Sequence, residues 1–127
     1  MTNKEIERKA IRVVMEYEKK RKPEEVKRKG YDIISSGRCI EVKGCKKEVG
    51  GWRMFQHNCF EALQKEKSYF VYIVQKLKTR QPELYIIPRR DIIRHLKPRI
   101  EWDINLPVKQ MHKWRAYLND NRPRRRG

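Results

Sequence analysis

The segment Gly30-Tyr31-Asp32-Ile33-Ile34-Ser35-Ser36-Gly37-Arg38-Cys39-Ile40-Glu41-Val42-Lys43-Gly44 restricts the fold more than any other part of the chain. Two runs rich in apolar residues flank Ser36-Gly37, a pairing that favours a tight β-hairpin turn. With a two-residue loop, Ser35 faces Arg38 and Asp32 falls opposite Glu41. Side chains alternate along a strand, so Ile40 and Val42 take one face while Cys39, Glu41 and Lys43 take the other. Opposed residues on one face have Cβ atoms roughly 5 Å apart, where like charges destabilise the pair. Two carboxylates in that arrangement call for a cation, and a divalent metal ion is the natural candidate. Lys43 is the next side chain on the same face.

The charge of the whole chain bears on what such a site would act upon. The net charge is +17, with 33 Lys/Arg against 16 Asp/Glu. Residues 107–127 carry 7 basic residues against 1 acidic, whereas residues 30–75, which hold the hairpin, carry 7 against 5. Basic flanks around a nearly balanced middle suit a protein that grips a polyanion around a site with its own negative charges. Enrichment in charged residues alone, as in heat-adapted proteins, does not explain a two-to-one excess of one sign. Nucleic acid is therefore the expected partner. No run of about 18 apolar residues is present to span a bilayer, and Met1-Thr2-Asn3-Lys4-Glu5 lacks the apolar core of a signal peptide. Cys39, Cys45 and Cys59, an odd number without Cys-x-x-Cys spacing, read as reduced cytoplasmic thiols rather than zinc ligands.

Ile6, Ala10, Val13, Val14 and Tyr17 recur at helical spacing, predicting a helix from Asn3 to about Lys20, capped by Thr2 and ended by Pro23. Val26 opens a short extended segment. Residues 52–66 form a second helical pattern with Phe55, Cys59, Ala62 and Leu63 on one stripe. Tyr69-Phe70-Val71-Tyr72-Ile73-Val74 is the most apolar run and predicts a buried internal strand. A turn over 76–81, a strand Leu84–Ile87 ended by Pro88 and a short helix over 89–96 follow. Ile100–Ile104 alternates weakly, as an edge strand would. Pro107 starts a last helix with Val108, Met111, Trp114 and Leu118 along one side. Trp52, Trp102 and Trp114 are read as packing residues in preference to base-stacking platforms. The order predicts an α/β layer fold, with a small mixed β-sheet between the first two helices. One domain covers residues 1–121, followed by a flexible basic tail over 122–127. Arg115, Arg122, Arg124, Arg125 and Arg126 are the expected phosphate contacts of the C-terminal region.

Asp32 followed by Glu41-Val42-Lys43 on the next strand resembles the PD-(D/E)XK nuclease superfamily, with its restriction-endonuclease-like fold. The longer string Tyr17-Glu18, Gly30-Tyr31-Asp32-Ile33 and Ile40-Glu41-Val42-Lys43-Gly44 is similar to one branch, the domain at the C-terminus of NO VEIN-like proteins. The likeness spans roughly residues 7–75. It implies a metal-dependent endonuclease with a restriction-endonuclease-like core, acting on DNA in preference to RNA. Asp32 and Glu41 would bind Mg²⁺ or Mn²⁺ together with the Val42 carbonyl, and Lys43 would assist the attacking water. Hard oxygen ligands suit these ions, and a fixed ammonium offsets charge in the transition state.

The resemblance also implies an acid on the first helix, where Glu7 is the candidate. The second helix of the branch commonly carries an Asn-Glu pair, and this chain reads Asn58-Cys59 there. Gln56 is the accessory candidate on that helix, with His57 and Glu61 as further polar side chains. On a chain this charged, Glu-x-Lys alone is also an ordinary surface pair. It is Asp32 at the opposed position that lifts it above that reading. Two other classes remain open: a nucleic-acid-binding module of the same fold without efficient cleavage, and a basic RNA-associated protein whose hairpin is merely structural. A homodimer would place two copies of one site on two strands.

Overall fold

The computed structural model describes residues 1–28, 30–47, 57–98, 104 and 106–116. The chain divides into two compact units, Met1–Leu96 and Lys97–Gly127. The first holds a five-stranded mixed sheet in the order β1-β2-β3-β4-β5, built from Glu24–Arg28, Tyr31–Ser35, Arg38–Gly44, Tyr69–Gln75 and Glu83–Pro88. Neighbours pair antiparallel except β3 with β4, which run parallel. That parallel step requires a crossover, and the segment between them contains α2, His57–Lys65.

The hairpin forms as its sequence dictates. Ser35 pairs with Arg38, Ile34 with Cys39 and Ile33 with Ile40. Ser36 and Gly37 both take positive φ, 50° and 76°, the geometry of the tight turn that matches strand twist. A register slip by one residue would turn every side chain to the opposite face, so this turn decides which residues reach the site.

The strand pattern of period two separates two cores. Helix α1, Asn3–Tyr17, lays Ile6, Ala10, Ile11 and Val14 against Ile33, Ile40, Val42, Tyr72 and Val74 on one face. On the other, Cys39, Tyr69, Val71 and Ile73 meet Ala62 and Leu63 of α2 and Ile92 of α3, Arg89–His95. The sheet therefore lies between the first two helices, as the element order predicts. Strand β4 is buried on both faces and accounts for the most apolar run. Strand β1 is a charged, exposed edge, which discourages edge-to-edge pairing. Among the described residues no helix is long and apolar enough to cross a membrane.

The first helix starts as expected, with Thr2 Oγ1 accepting from the Glu5 amide at 3.1 Å, but ends earlier. It stops at Tyr17, a short 3₁₀ turn covers Lys19–Arg21, and Lys22 takes a left-handed φ of 54° before Pro23. Glu18 accounts for the change. Its side chain is 0% exposed and forms an ion pair with Arg38 Nη2. It also accepts from Arg21 Nη1 at 2.8 Å and from the Tyr72 hydroxyl at 3.1 Å. Arg38 donates to the Tyr72 hydroxyl at 2.8 Å and lies 5.3 Å from the centre of the Phe70 ring. Partners on two strands thus take Glu18 out of the helical path that its local sequence would continue.

In the second unit, Val108–Trp114 forms a 3₁₀ helix after Pro107 rather than the expected packed C-terminal helix. Val108, Met111 and Trp114 are exposed, not core residues. Their spacing of three fits the three-residue turn of a 3₁₀ helix. Phe55 and the start of the predicted second helix, Trp52 and Trp102, Leu118, and most of the predicted strand at 100–104 lie outside the described residues.

Replacing Arg38 with Met leaves the buried Glu18 carboxylate with only the half-exposed Arg21 and the Tyr72 hydroxyl. The expected loss of unfolding free energy is about 3–5 kcal/mol. The double variant Glu18→Gln/Arg38→Met recovers most of it. Urea denaturation of the three proteins checks this.

Candidate metal and catalytic pocket

Asp32 of β2 and Glu41 of β3 are the next residues beyond the Ile33–Ile40 pair, and their carboxyl groups are neighbours. Asp32 Oδ2 accepts from the Val42 amide at 2.8 Å, which fixes the carboxylate against the neighbouring strand. Glu41 is buried. Its Oε2 accepts from Cys59 Sγ at 3.0 Å and lies 3.6 Å from Lys43 Nζ. These groups open onto a pocket of about 450 Å³. Its lining includes Asn3, Ile6 and Glu7 from α1, Arg28 from β1, Asp32, Glu41, Val42 and Lys43 from the hairpin, and Asn58 and Cys59 from α2.

The two bracketing glycines let the helices close on this pocket. Gly30 has φ 94°, and a Cβ there would lie 2.4 Å from the Asn58 carbonyl oxygen and 2.7 Å from Ala62 Cβ. Only glycine allows β2 to begin this close to the first turn of α2. At Gly44 a Cβ would meet Ala10 Cβ at 2.9 Å and Ile6 Cγ2 at 3.1 Å, so the end of β3 sits tight beneath α1. The Tyr69 hydroxyl donates to the Gly30 carbonyl at 2.6 Å, tying that turn to β4.

Burial is the first reason that the Asp32 carboxyl is displaced from its ordinary 3.8 to about 7, and Glu41, as hydrogen-bond and charge neighbour, is the next. The Val42 amide and Lys43 pull the other way. Burial and Glu41 also push the Cys59 thiol up to about 12, so it remains protonated and acts as a donor to Glu41. The Tyr69 hydroxyl is raised, mainly by burial.

The donor set suits a hard dication. Asp32 and Glu41 supply carboxylate oxygens, and Asn58 Oδ1 is buried without a hydrogen-bond partner. Among the described residues no three His, Cys, Asp or Glu side chains form a metal cluster. That still matches Mg²⁺, which keeps several waters and is held by one or two carboxylates plus substrate phosphate.

Of the residues singled out in the sequence, Glu7, Asp32, Glu41, Val42 and Lys43 share this pocket. The Val42 group seen to act within it is the amide, which holds Asp32. His57 and Glu61 instead pair with each other at 2.9 Å on the surface of α2. Gln56, Arg122, Arg124, Arg125 and Arg126 lie outside the described residues. Arg115 is exposed at the end of the second 3₁₀ helix. Asn3, Arg28 and Asn58 were not singled out. Only Asn58 carries a local sign, its place in the second-helix pair.

A family model described as "Protein NO VEIN, C-terminal" matches residues 6–87, nearly two thirds of the chain. The chain belongs to the NO VEIN C-terminal family. The match begins in α1 and ends in β5, so every strand of the sheet and all but Asn3 of the pocket lining fall within the NO VEIN C-terminal domain. Searches of curated proteins and of solved structures give no significant match.

A carboxyl that holds its proton more tightly in the folded state destabilises that state as it ionises. Stability of the metal-free protein is therefore expected to fall between about pH 4 and about pH 7, the interval set by Asp32. In Asp32→Asn that fall is reduced. Urea unfolding at half-unit pH steps measures both curves.

Proposed function

We propose that the chain is a metal-dependent endonuclease of the PD-(D/E)XK type that hydrolyses phosphodiester bonds in DNA. The observation that carries this reading is the convergence of Asp32, Glu41 and Lys43 at one pocket, on the least basic stretch of a chain of net charge +17. Asp32 and Glu41 would hold Mg²⁺ or Mn²⁺, with Asn58 Oδ1 as a further oxygen at hand. A bound ion supplies Lewis acidity toward a phosphoryl oxygen and lowers the pKa of a water.

The chain's own residues have separate tasks. The Val42 amide holds Asp32 in place, and the Cys59 thiol orients Glu41 by donating to Oε2. Lys43 orients the attacking water and offsets charge developing on the phosphoryl oxygens. Its distance of 3.6 Å from Glu41 keeps the ammonium at the site without a tight hydrogen bond to release. Glu7 stands at the pocket on α1, where it serves to accept a proton from water or hold a second hydrated ion. The basic flanks supply nonspecific phosphate attraction, which weakens with salt.

Cys59 favours a second reading. A thiol stands where the family commonly offers an acid, and among the described residues no third acidic side chain joins Asp32 and Glu41 in a metal cluster. A nucleic-acid-binding module with weak or no cleavage is consistent with both facts.

Plasmid, single-stranded, branched and RNA substrates incubated with Mg²⁺ or Mn²⁺ test the proposal. Cutting is expected to require the ion and to fall about 100-fold or more in Lys43→Ala. Metal-dependent cutting undiminished in that variant removes Lys43 from the reaction and sinks the assignment. Salt-sensitive binding without cutting on any substrate leaves the second reading.

A further inference from the structure

The 3₁₀ helix Val108–Trp114 belongs to a part of the chain that the pocket does not use. In a 3₁₀ helix residues i and i+3 eclipse one another, so seven residues make three columns. Val108, Met111 and Trp114 form an apolar column, and these residues are 85%, 47% and 54% exposed. Lys109 and His112 form the next, continued by Arg115 at the helix end. Gln110 and Lys113 form the third. The His112 ring reaches back to the Lys109 carbonyl at 3.1 Å, one turn away, as this stacking requires. No Asp or Glu lies between residues 104 and 116.

An exposed apolar column that ends in an indole, beside columns that carry Lys109 and Lys113, has a specific chemical complement. The bases of a paired duplex are stacked and closed to an indole, whereas an unpaired strand offers phosphates and base faces together. Lys109 and Lys113 stand roughly 8 Å apart in rise, along the same short rod as Met111 and Trp114. We propose that residues 108–115 form a binding element for single-stranded nucleic acid, with Trp114 stacking on an unpaired base and Lys109 and Lys113 contacting phosphates. This goes beyond the nuclease reading and does not depend on it. The two would share a substrate class, and the element would favour strands with unpaired regions.

The test uses the full chain in EDTA, so that the outcome is independent of any metal in the pocket. Trp52→Phe/Trp102→Phe leaves Trp114 as the single tryptophan. Its emission is expected to be quenched by a 20-nucleotide oligo(dT) and hardly affected by a 20-base-pair duplex. In fluorescence anisotropy, Trp114→Ala should weaken oligo(dT) binding about tenfold and duplex binding less than about twofold. Trp114→Phe should retain most of the affinity. Lys109→Gln/Lys113→Gln should reduce the salt dependence of single-strand binding by about 1 to 2 in log–log slope. Circular dichroism should be unchanged in all of them, since the side chains are exposed. Equal losses on oligo(dT) and duplex, or no loss on either, overturn the proposal. So does a Trp114 response confined to phosphatidylserine vesicles, which assigns the face to an anionic membrane. A response that tracks only protein concentration assigns it to a second copy and has the same effect.

Discussion

The centre of this molecule depends on the register of one hairpin. Two positive-φ residues at Ser36 and Gly37 join β2 to β3 with no slack. That join brings Asp32 beside Glu41, and the Val42 amide then holds the Asp32 carboxylate where it crowds its neighbour. Burial with a second carboxylate makes full ionisation unfavourable, which raises Asp32 to about 7. In free-energy terms the fold holds two carboxylates in an arrangement that disfavours charging both at once. Strain of this kind is expected at functional sites rather than in scaffolds.

The rest of the domain serves to hold that hairpin. On one face α1 presses Ala10 and Ile6 against Gly44. The Glu18–Arg38–Tyr72 network fastens the end of that helix to β3 and β4. Arg38 is the residue after the turn, so the network fixes the hairpin from the side opposite the carboxylates. On the other face Gly30 lets the first turn of α2 approach β2, and Cys59 then reaches Glu41. Pocket and core are thus built from alternate residues of the same two strands.

What was legible in the sequence followed from local rules. The Ser-Gly turn and the alternation of Ile40 and Val42 with Glu41 and Lys43 are period-two signals, and the structure follows them. The buried β4 and the amphipathic α1 were legible for the same reason. Glu18 was not, because a charged residue in a charged stretch looks solvated until Arg38 and Tyr72 arrive from two strands. Asn58 carried a local sign in the second-helix pair, but its approach to the pocket depends on a glycine 28 positions earlier. The spacing of Val108, Met111 and Trp114 suggested a buried helical stripe. It suits the tighter 3₁₀ winding instead, and the tryptophan lies in solvent.

The claim at the centre is that the Asp32–Glu41 pair is a cation site waiting on a proton's departure. Titration calorimetry with Mn²⁺, run at pH 6 and pH 8 in buffers of different ionisation enthalpy, measures this directly. One site per chain is expected, releasing close to one proton at pH 6 and few at pH 8, with affinity falling about tenfold per pH unit below 7. Binding should vanish in Asp32→Asn. Mn²⁺ affinity that is the same at both pH values, or unchanged in Asp32→Asn, would contradict the assignment of this pair as the metal site.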